Sequence, residues 1–371
     1  MRILMTGGGT AGHINPAIAI ANTFKQKDDS SEILFVGTEN GLEKNLVPRA
    51  GYDIKFIHAK GFRRKLSLEN IAVLLRFIQG YLEASRIIKE FKPDVAIGTG
   101  GYVTGAVLYS AHRHGVPVVI HESNAFAGVT NRFVSGFTKL AFVNFENTVS
   151  AFRKAEKTIV SGNPLKKELL RANREDARRK LNLGPKDVFI VAVGGSRGSE
   201  TMNRCIADML LTYPVKDHFK MIFATGETNF EKANEIIKQK PELADSVTVV
   251  PYIYEMETYY AAADIVICRA GAMTCSEVCA LGKASIMIPS PYVTENHQEK
   301  NARELEKSGA NIVITEKELT PQVLYEKISF LIKEPQRITQ MADNAKRLGK
   351  TDAGDVIYKS VYQYIFHKKV L

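Results

Sequence analysis

The sequence predicts an α/β protein built as two consecutive Rossmann-like domains, and three observations carry that prediction. A chain of 371 residues exceeds one ordinary core, and length alone suggests about two domains. Short runs rich in β-branched residues recur, each leading into a glycine turn and a capped helical segment. The opening pattern also restarts: the turn at Gly7 has a counterpart at Gly194, and 194 minus 7 is 187, about half the chain.

Taken in order, Ile3–Thr6 reads as a strand, followed by Gly7-Gly8-Gly9-Thr10-Ala11-Gly12-His13. Asn15 is a good N-cap and Pro16 suits a first helical position, which predicts a helix from there. The loop matches G-x-G-x-x-G, and Glu39 follows the next strand, Glu32–Gly37; alone, such a fingerprint is weak. Beside a helix start the neutral imidazole of His13 is favoured over the cation, which suits a proton acceptor, and equally a ring tied to local backbone.

A helix is predicted over Ser67–Lys89, with Ser67 as N-cap. Ile71, Leu74, Leu75, Ile78 and Leu82 form one stripe, and Val73, Phe77 and Tyr81 a second. A helix apolar on two sides is deeply buried or shows one face. Arg63-Arg64-Lys65 and Arg76 favour the second option, docking on an anionic bilayer.

Val95–Ile97 then leads into Gly98-Thr99-Gly100-Gly101-Tyr102, another strand-to-helix glycine turn. Val116–Ile120 is a buried strand that delivers His121-Glu122-Ser123-Asn124 at its C-terminal end, where open α/β sheets bind ligands. Glu122 and Asn124 are therefore placed to meet a substrate. The carboxylate suits a general base and, equally, a loop-orienting role. Ala125 stands where a zinc protease would need its second histidine, so that chemistry is excluded.

The pattern changes near residue 163, giving domains over 1–162 and 163–345 and a terminal segment, 346–371. Lys166–Lys180 is charged and helix-forming; Val188–Val193 is a strand, then Gly194-Gly195-Ser196-Arg197-Gly198 leads to Ser199 as N-cap. Strands follow at Lys220–Ala224, Val247–Val250, Asp264–Cys268 and Ala284–Ile288.

After the third of these comes Arg269-Ala270-Gly271-Ala272-Met273-Thr274-Cys275-Ser276-Glu277. Thr274 and Glu277 have capping-box spacing, which predicts a helix from Cys275 to near Gly282. A strand, a glycine turn and a helix start aim free N–H groups and a positive dipole end at one spot, which suits a diphosphate. Asp355–Phe366 carries Ile357, Val361, Tyr364 and Ile365 on one face and is expected to pack back towards the first domain.

Composition is that of a globular enzyme, 45% apolar and 24% charged. Cys205, Cys268, Cys275 and Cys279 sit in apolar or helical contexts without a second ligand pair, so they read as reduced core thiols and no metal site is predicted. Net charge is 50 minus 40, or +10, and residues 55–92 hold nine Lys/Arg against three Glu. That excess marks a solvated basic face or attraction to an anionic surface.

With these residues in view, the chain closely resembles the MurG family. The motifs are Gly-Gly-Thr-Ala-Gly-His13 with Pro16, Gly100-Gly-Tyr-Val103, His121-Glu-x-Asn124 with Ala127-Gly128, Gly162-Asn-Pro164, Gly194-Gly-Ser196, Arg269-x-Gly271 to Glu277, and Gln298. An ordered set across the whole chain is far more specific than any one of them. The resemblance implies the GT-B fold, two Rossmann-like domains facing across a cleft. It implies an inverting transfer of GlcNAc from UDP-GlcNAc to the lipid-linked acceptor undecaprenyl-pyrophosphoryl-MurNAc-pentapeptide (lipid I), at the cytoplasmic face of the cell membrane and without a cofactor.

Residue by residue, it implies that backbone near Ile253 meets uracil and that Glu277 takes the ribose hydroxyls. Ser196 with Ala272, Met273, Thr274, Cys275 and Ser276 would hold the diphosphate, and Gln298 the sugar. Thr10, Ala11, Gly12 and Asn124 would complete the donor site, while Gly8, Gly9, Gly100, Gly101 and Tyr102 would face the lipid pyrophosphate. The chain departs from the family pattern in having Ala11 where glycine is frequent. It also has Leu165-Lys166 where an arginine is usual, so Lys166 would give a point charge without a bidentate fork.

Inversion needs one in-line displacement with a base on the acceptor's 4-hydroxyl, for which His13 and Glu122 are the candidates. No Asp-x-Asp is present, so helix N-termini with Lys or Arg are favoured to carry the leaving charge. An NAD-dependent oxidoreductase would leave the turn at 194 and the 269–277 segment without a role. A nucleic-acid binder would need aromatic residues among the basic ones, where this chain has aliphatics, so no nucleic-acid partner is expected. A diacylglycerol glycosyltransferase and a UDP-GlcNAc 2-epimerase are the rivals of the same class.

Overall fold

The computed structural model describes residues 1–59, 69–195, 198–215 and 218–366, with the side chains of 69–74 outside that description. Ser67, Arg63-Arg64-Lys65 and Ser196 thus lie outside the described residues. The chain divides into two compact units, 1–164 with 351–371, and 165–350.

Unit 1 holds strands β1 (Arg2–Thr6), β2 (Glu32–Gly37), β3 (Asp53–Phe56), β4 (Val95–Gly98), β5 (Val118–Glu122), β6 (Leu140–Val143) and β7 (Lys157–Val160). They form one sheet in the order β3-β2-β1-β4-β5-β6-β7, with parallel pairing throughout. Unit 2 holds β8 (Val188–Val193), β9 (Phe219–Ala224), β10 (Val247–Val250), β11 (Ile265–Cys268), β12 (Ala284–Met287) and β13 (Ile312–Val313). Their order is β10-β9-β8-β11-β12-β13, again parallel. Helices cover the sheets, and central strands such as β4, β5 and β11 are buried end to end, which explains their unbroken apolar sequences.

The helices that frame the first site are α1 (Ala11–Lys27), α2 (Glu43–Arg49), α3 (Glu69–Phe91), α4 (Tyr102–Arg113) and α5 (Val129–Val134). Helix α1 begins at Thr10–Ala11, more than a turn before the expected Asn15–Pro16 start, and Pro16 lies inside it. The glycine loop is short enough that winding starts at once, with Ile14 N–H donating to Thr10 O at 3.2 Å. Strand β5 runs on through His121 and Glu122, so both are strand residues rather than the start of a loop. Lys166–Lys180 is two short helices, Lys167–Arg171 and Arg174–Lys180, the second capped by Asn173.

From Leu75 onward the two apolar stripes of α3 part company; the side chains of Ile71, Val73 and Leu74 lie outside the described residues. Phe77 and Ala84 pack on the unit 1 core, and the rings of Phe77 and Tyr81 meet Tyr109. Leu75, Ile78 and Leu82 face outward, 63%, 47% and 55% exposed. Among the described residues no helix is long and apolar enough to cross a membrane.

The helix Ala353–Ile365 packs on α1. Ile357, Tyr358 and Val361 are buried with Phe24, Ile20 and Phe142, and the Phe24 and Tyr358 rings lie 5.3 Å apart. Removing the Phe24 ring should cost about 3–5 kcal/mol and loosen this terminal helix. Chemical denaturation of Phe24→Ala, with limited proteolysis near residue 352, checks this; an unchanged unfolding curve would contradict it.

Candidate functional site

Each sheet has one place where the winding reverses, so that two adjacent βα loops leave in opposite directions and open a crevice. In unit 1 this is between β1 and β4, and in unit 2 between β8 and β11. The glycine turns read from the sequence follow these four strands. Gly7–Gly12 leaves β1, Thr99–Tyr102 leaves β4, Gly194–Ser199 leaves β8, and Arg269–Glu277 leaves β11.

In unit 1 the two loops are laced together. Gly8 N–H donates to Gly100 O at 3.2 Å, and Gly101, at φ +91°, passes so close that a Cβ there would lie 2.2 Å from Gly8 O. Only glycine fits that approach. Gly9 N–H donates to the Glu43 carboxylate at 3.0 Å. Gly8 and Gly9 therefore give their amides to the protein, and the amides that open α1 belong to Ala11 and Gly12. Helix α4 likewise opens at Tyr102 after Gly101, with the Tyr102 hydroxyl 3.2 Å from the Thr38 hydroxyl.

His13 stands in the first turn of α1, with Nδ1 3.1 Å from Thr99 O. A carbonyl only accepts, so this contact puts the proton on Nδ1 and leaves Nε2 as the basic nitrogen. The Thr99 hydroxyl donates back to His13 O at 2.6 Å, fixing the turn that carries the ring.

Glu122, at the end of β5, is 1% exposed. Its carboxylate accepts from Asn124 N–H (3.1 Å), Asn124 Nδ2 (3.2 Å), Gly128 N–H (2.9 Å) and Asn131 Nδ2 (2.9 Å). An ionised carboxylate has about four lone-pair sites, so this one is saturated. That geometry suits shaping the 123–131 loop and presenting Asn124 more than taking a proton. Next to it, His121 is buried and bonds Gly162 O through Nε2 at 3.0 Å; burial pushes its pKa down, keeping the ring neutral.

In unit 2 the helix after β11 runs from Ala272 to Ala280 with Gly271 as N-cap, not from Cys275. Cys275 N–H already donates to Gly271 O at 2.9 Å, so Thr274 lies inside the first turn and the capping box is not made. No side-chain hydrogen bond caps this end at Gly271. The far end turns at Gly282, φ +59°, as expected.

Arg269 at the exit of β11 ties the two switch-point loops together. It donates to Ile288 O at 3.0 Å, to the Glu316 carboxylate, and to the hydroxyl of Ser199, which caps the next helix through Met202 N–H. The Arg269–Glu316 pair is largely buried.

Glu277 sits partly exposed on the same helix. Burial raises its pKa to about 7, against a downward pull from the Lys166 ammonium. Lys166 is itself exposed at the start of the helix Lys167–Arg171. Ile253, on the loop after β10, is buried, whereas its sequence neighbours Tyr252 and Tyr254 are exposed with their rings 5.0 Å apart.

Gln298 lies in the first turn of the helix His297–Glu306, which two consecutive left-handed residues introduce, Glu295 (φ +58°) and Asn296 (φ +52°). Such backbone costs roughly 1–3 kcal/mol per residue and recurs at ligand sites. The Gln298 Oε1 accepts from Ser290 N–H at 2.9 Å, which turns its NH₂ outward as a donor.

The expected residues thus fall into two groups: Gly8–His13, Gly100–Tyr102, Glu122 and Asn124 in unit 1, and Lys166, Ile253, Ala272–Glu277 and Gln298 in unit 2. Sequence reasoning missed Glu43, Asn131 and the Arg269–Glu316 pair. The fingerprint acid it noted, Glu39, is exposed, whereas Glu43, four residues on, turns inward. All four cysteines are buried, and burial pushes the Cys205, Cys268 and Cys279 thiols up to about 12 and the Cys275 thiol well above its ordinary value.

Comparison with known proteins identifies the family. The Glycosyltransferase family 28 N-terminal domain matches residues 3–143, and the family's C-terminal domain matches 189–357. The UDP-N-acetylglucosamine–N-acetylmuramyl-(pentapeptide) pyrophosphoryl-undecaprenol N-acetylglucosamine transferase of Acetivibrio thermocellus is 46% identical over 370 residues, covering 99% of both chains. That of Caldanaerobacter subterraneus subsp. tengcongensis is 48% identical, covering 97% of this chain and 99% of its own. The crystal structure of Acinetobacter baumannii MurG superimposes with a TM-score of 0.82 at 29% identity, over 98% of this chain and 99% of that one. A Staphylococcus aureus MnaA–UDP co-structure shares the fold alone, with a TM-score of 0.68 at 17% identity over 100% of this chain and 99% of that one. With near-full-length relatives at this identity, the chain belongs to the MurG family of peptidoglycan-synthesis glycosyltransferases, the UDP-N-acetylglucosamine–N-acetylmuramyl-(pentapeptide) pyrophosphoryl-undecaprenol N-acetylglucosamine transferases.

Proposed function

We propose that the chain carries out its family's reaction, transfer of GlcNAc from UDP-GlcNAc to the MurNAc 4-hydroxyl of undecaprenyl-pyrophosphoryl-MurNAc-pentapeptide, with unit 2 holding the donor and unit 1 the acceptor. The observation that carries this division is the Arg269–Glu277 segment. A helix starts at Ala272 directly after β11 at the unit 2 switch point, where open α/β sheets take ligands. Arg269 ties that loop to Ser199 at the start of the neighbouring helix, and two helix starts at one gap suit a diphosphate.

On this reading, backbone at Ile253 meets the uracil and Glu277 accepts the ribose hydroxyls. Met273–Ser276 present the helix start to the diphosphate, and the Gln298 NH₂ donates to the sugar. Thr10, Ala11, Gly12 and Asn124 add contacts from unit 1, whose Gly100–Gly101–Tyr102 turn faces the lipid pyrophosphate.

His13 Nε2 removes the 4-hydroxyl proton as the oxygen attacks C1 of GlcNAc, and the C1–O bond to UDP breaks on the opposite face. Thr99 O stabilises the imidazolium through Nδ1–H. The departing charge falls on the helix end, worth up to ~2 kcal/mol when partly buried, with cationic help.

The outward stripe of α3 gives the acceptor's membrane a place to meet the protein. Leu75, Ile78 and Leu82 are exposed, as are Val129 and Phe133 on α5, and a row of rings, Phe77–Tyr109–Phe137–Phe133, links the two helices. Exposed Arg76, Arg86 and Arg132 flank them. At ~1 kcal/mol per cation plus partial insertion of a few side chains, this gives reversible docking on an anionic cytoplasmic leaflet, not anchoring.

Three outcomes are expected. His13→Asn should lower kcat about 10²–10⁴-fold and leave the Kd for UDP unchanged, read by radiolabelled GlcNAc transfer and calorimetry. UDP affinity should fall about tenfold per pH unit below 7, because Glu277 must give up its proton to accept both hydroxyls, and Glu277→Gln should bind weakly with a flat pH profile. Ile78→Glu with Leu82→Glu should abolish sedimentation with anionic liposomes while activity on a detergent-solubilised acceptor persists.

A further inference from the structure

We propose that Glu43, the first residue of α2, is a positioning residue that sets the acceptor-facing glycine loop of unit 1; this rests on the acceptor assignment above. The carboxylate is buried, 1% exposed, and no part of the mechanism uses it. It accepts from Thr38 N–H at 3.0 Å and the Thr38 hydroxyl at 2.8 Å, which anchor it to the end of β2. Its other oxygen accepts from Gly9 N–H at 3.0 Å, across the sheet edge in the β1–α1 loop. The Thr38 hydroxyl also meets the Tyr102 hydroxyl at 3.2 Å, so one carboxylate links the loops after β1, β2 and β4.

The surrounding sequence is shaped to admit this group. A Cβ at Gly8 would lie 2.6 Å from a Glu43 oxygen, one at Gly41 2.1 Å from the other, and one at Gly37 2.5 Å from its Cγ. Three glycines leave room for one buried acid. The bond it makes falls on Gly9, whose φ of +85° is held against the Tyr102 ring, two residues before the helix start at Ala11. The place of Gly9, and of the Tyr102 ring and hydroxyl beside it on the acceptor-facing surface, therefore depends on this carboxylate. An ionised carboxylate only accepts, so it meets three donors without conflict. A glutamine in its place keeps the size but turns an NH₂ towards either Gly9 N–H or Thr38.

The test is steady-state kinetics of full-length Glu43→Gln and Glu43→Asp against a soluble lipid I analogue and UDP-GlcNAc, with UDP calorimetry and thermal melting alongside. Glu43→Gln should raise KM for the acceptor about tenfold or more, the loss of a hydrogen bond to a charged group, with donor KM and UDP Kd unchanged. Hydrogen exchange at Gly9 should accelerate. Glu43→Asp, which keeps the charge on a shorter arm, should recover part of the acceptor KM. A lower melting temperature with acceptor KM unchanged would overturn the proposal, since the acid would then only support the fold. A rise in donor KM instead of acceptor KM would support the positioning role and overturn the assignment of this loop to the acceptor.

Discussion

The structure depends on one property of parallel sheets. Where the winding reverses, two neighbouring strands send their loops to opposite faces, and the helices that follow start at the mouth of the gap with first-turn N–H groups that the helix itself does not satisfy. This chain builds two such sheets, with the reversal between β1 and β4 in one and between β8 and β11 in the other. The cost is steric. The loops must approach closely enough to share the gap, which forces glycine at positions such as Gly101, where any side chain would strike Gly8 O.

The two copies are finished differently, and the difference bears on what each holds. In unit 2 the loops are joined by a guanidinium: Arg269 reaches Ser199 on one side and Glu316 on the other. The largely buried Arg269–Glu316 pair thereby fixes both loops at the gap. In unit 1 the loops are joined by main-chain bonds and by the Glu43 carboxylate, with no buried cation between them among the described contacts. That site carries instead a histidine whose Nδ1 is held by the Thr99 carbonyl. Glu122 follows the same logic: four donors converge on it, and the loop bearing Asn124 takes its shape from them.

Much of the strand pattern was legible, because buried parallel strands are unbroken apolar runs and glycine punctuates their ends. The helix starts were less so. Asn15-Pro16 and Thr274-Glu277 both carry good capping signals, yet in each case the chain winds up earlier, immediately after the glycine turn. Local capping preference, about 1 kcal/mol, yields there to the short βα connection. In α3, sequence left two apolar stripes equivalent, and only packing distinguished Phe77 and Tyr81 from Leu75, Ile78 and Leu82. The residues that grip the site from a distance were not legible. Glu43, Asn131 and Glu316 sit 34, 9 and 47 positions from the groups they bond, Gly9, Glu122 and Arg269, and no local spacing marks them.

If backbone amides at the unit 2 helix starts grip a nucleotide's phosphates, those amides must respond when UDP is titrated into the isotopically labelled protein. The largest resonance shifts are then expected at Gly194, Gly195 and Ala272–Ser276, with smaller ones at Ile253. Shifts confined to Gly7–His13, with the 272–276 amides unmoved, would contradict it.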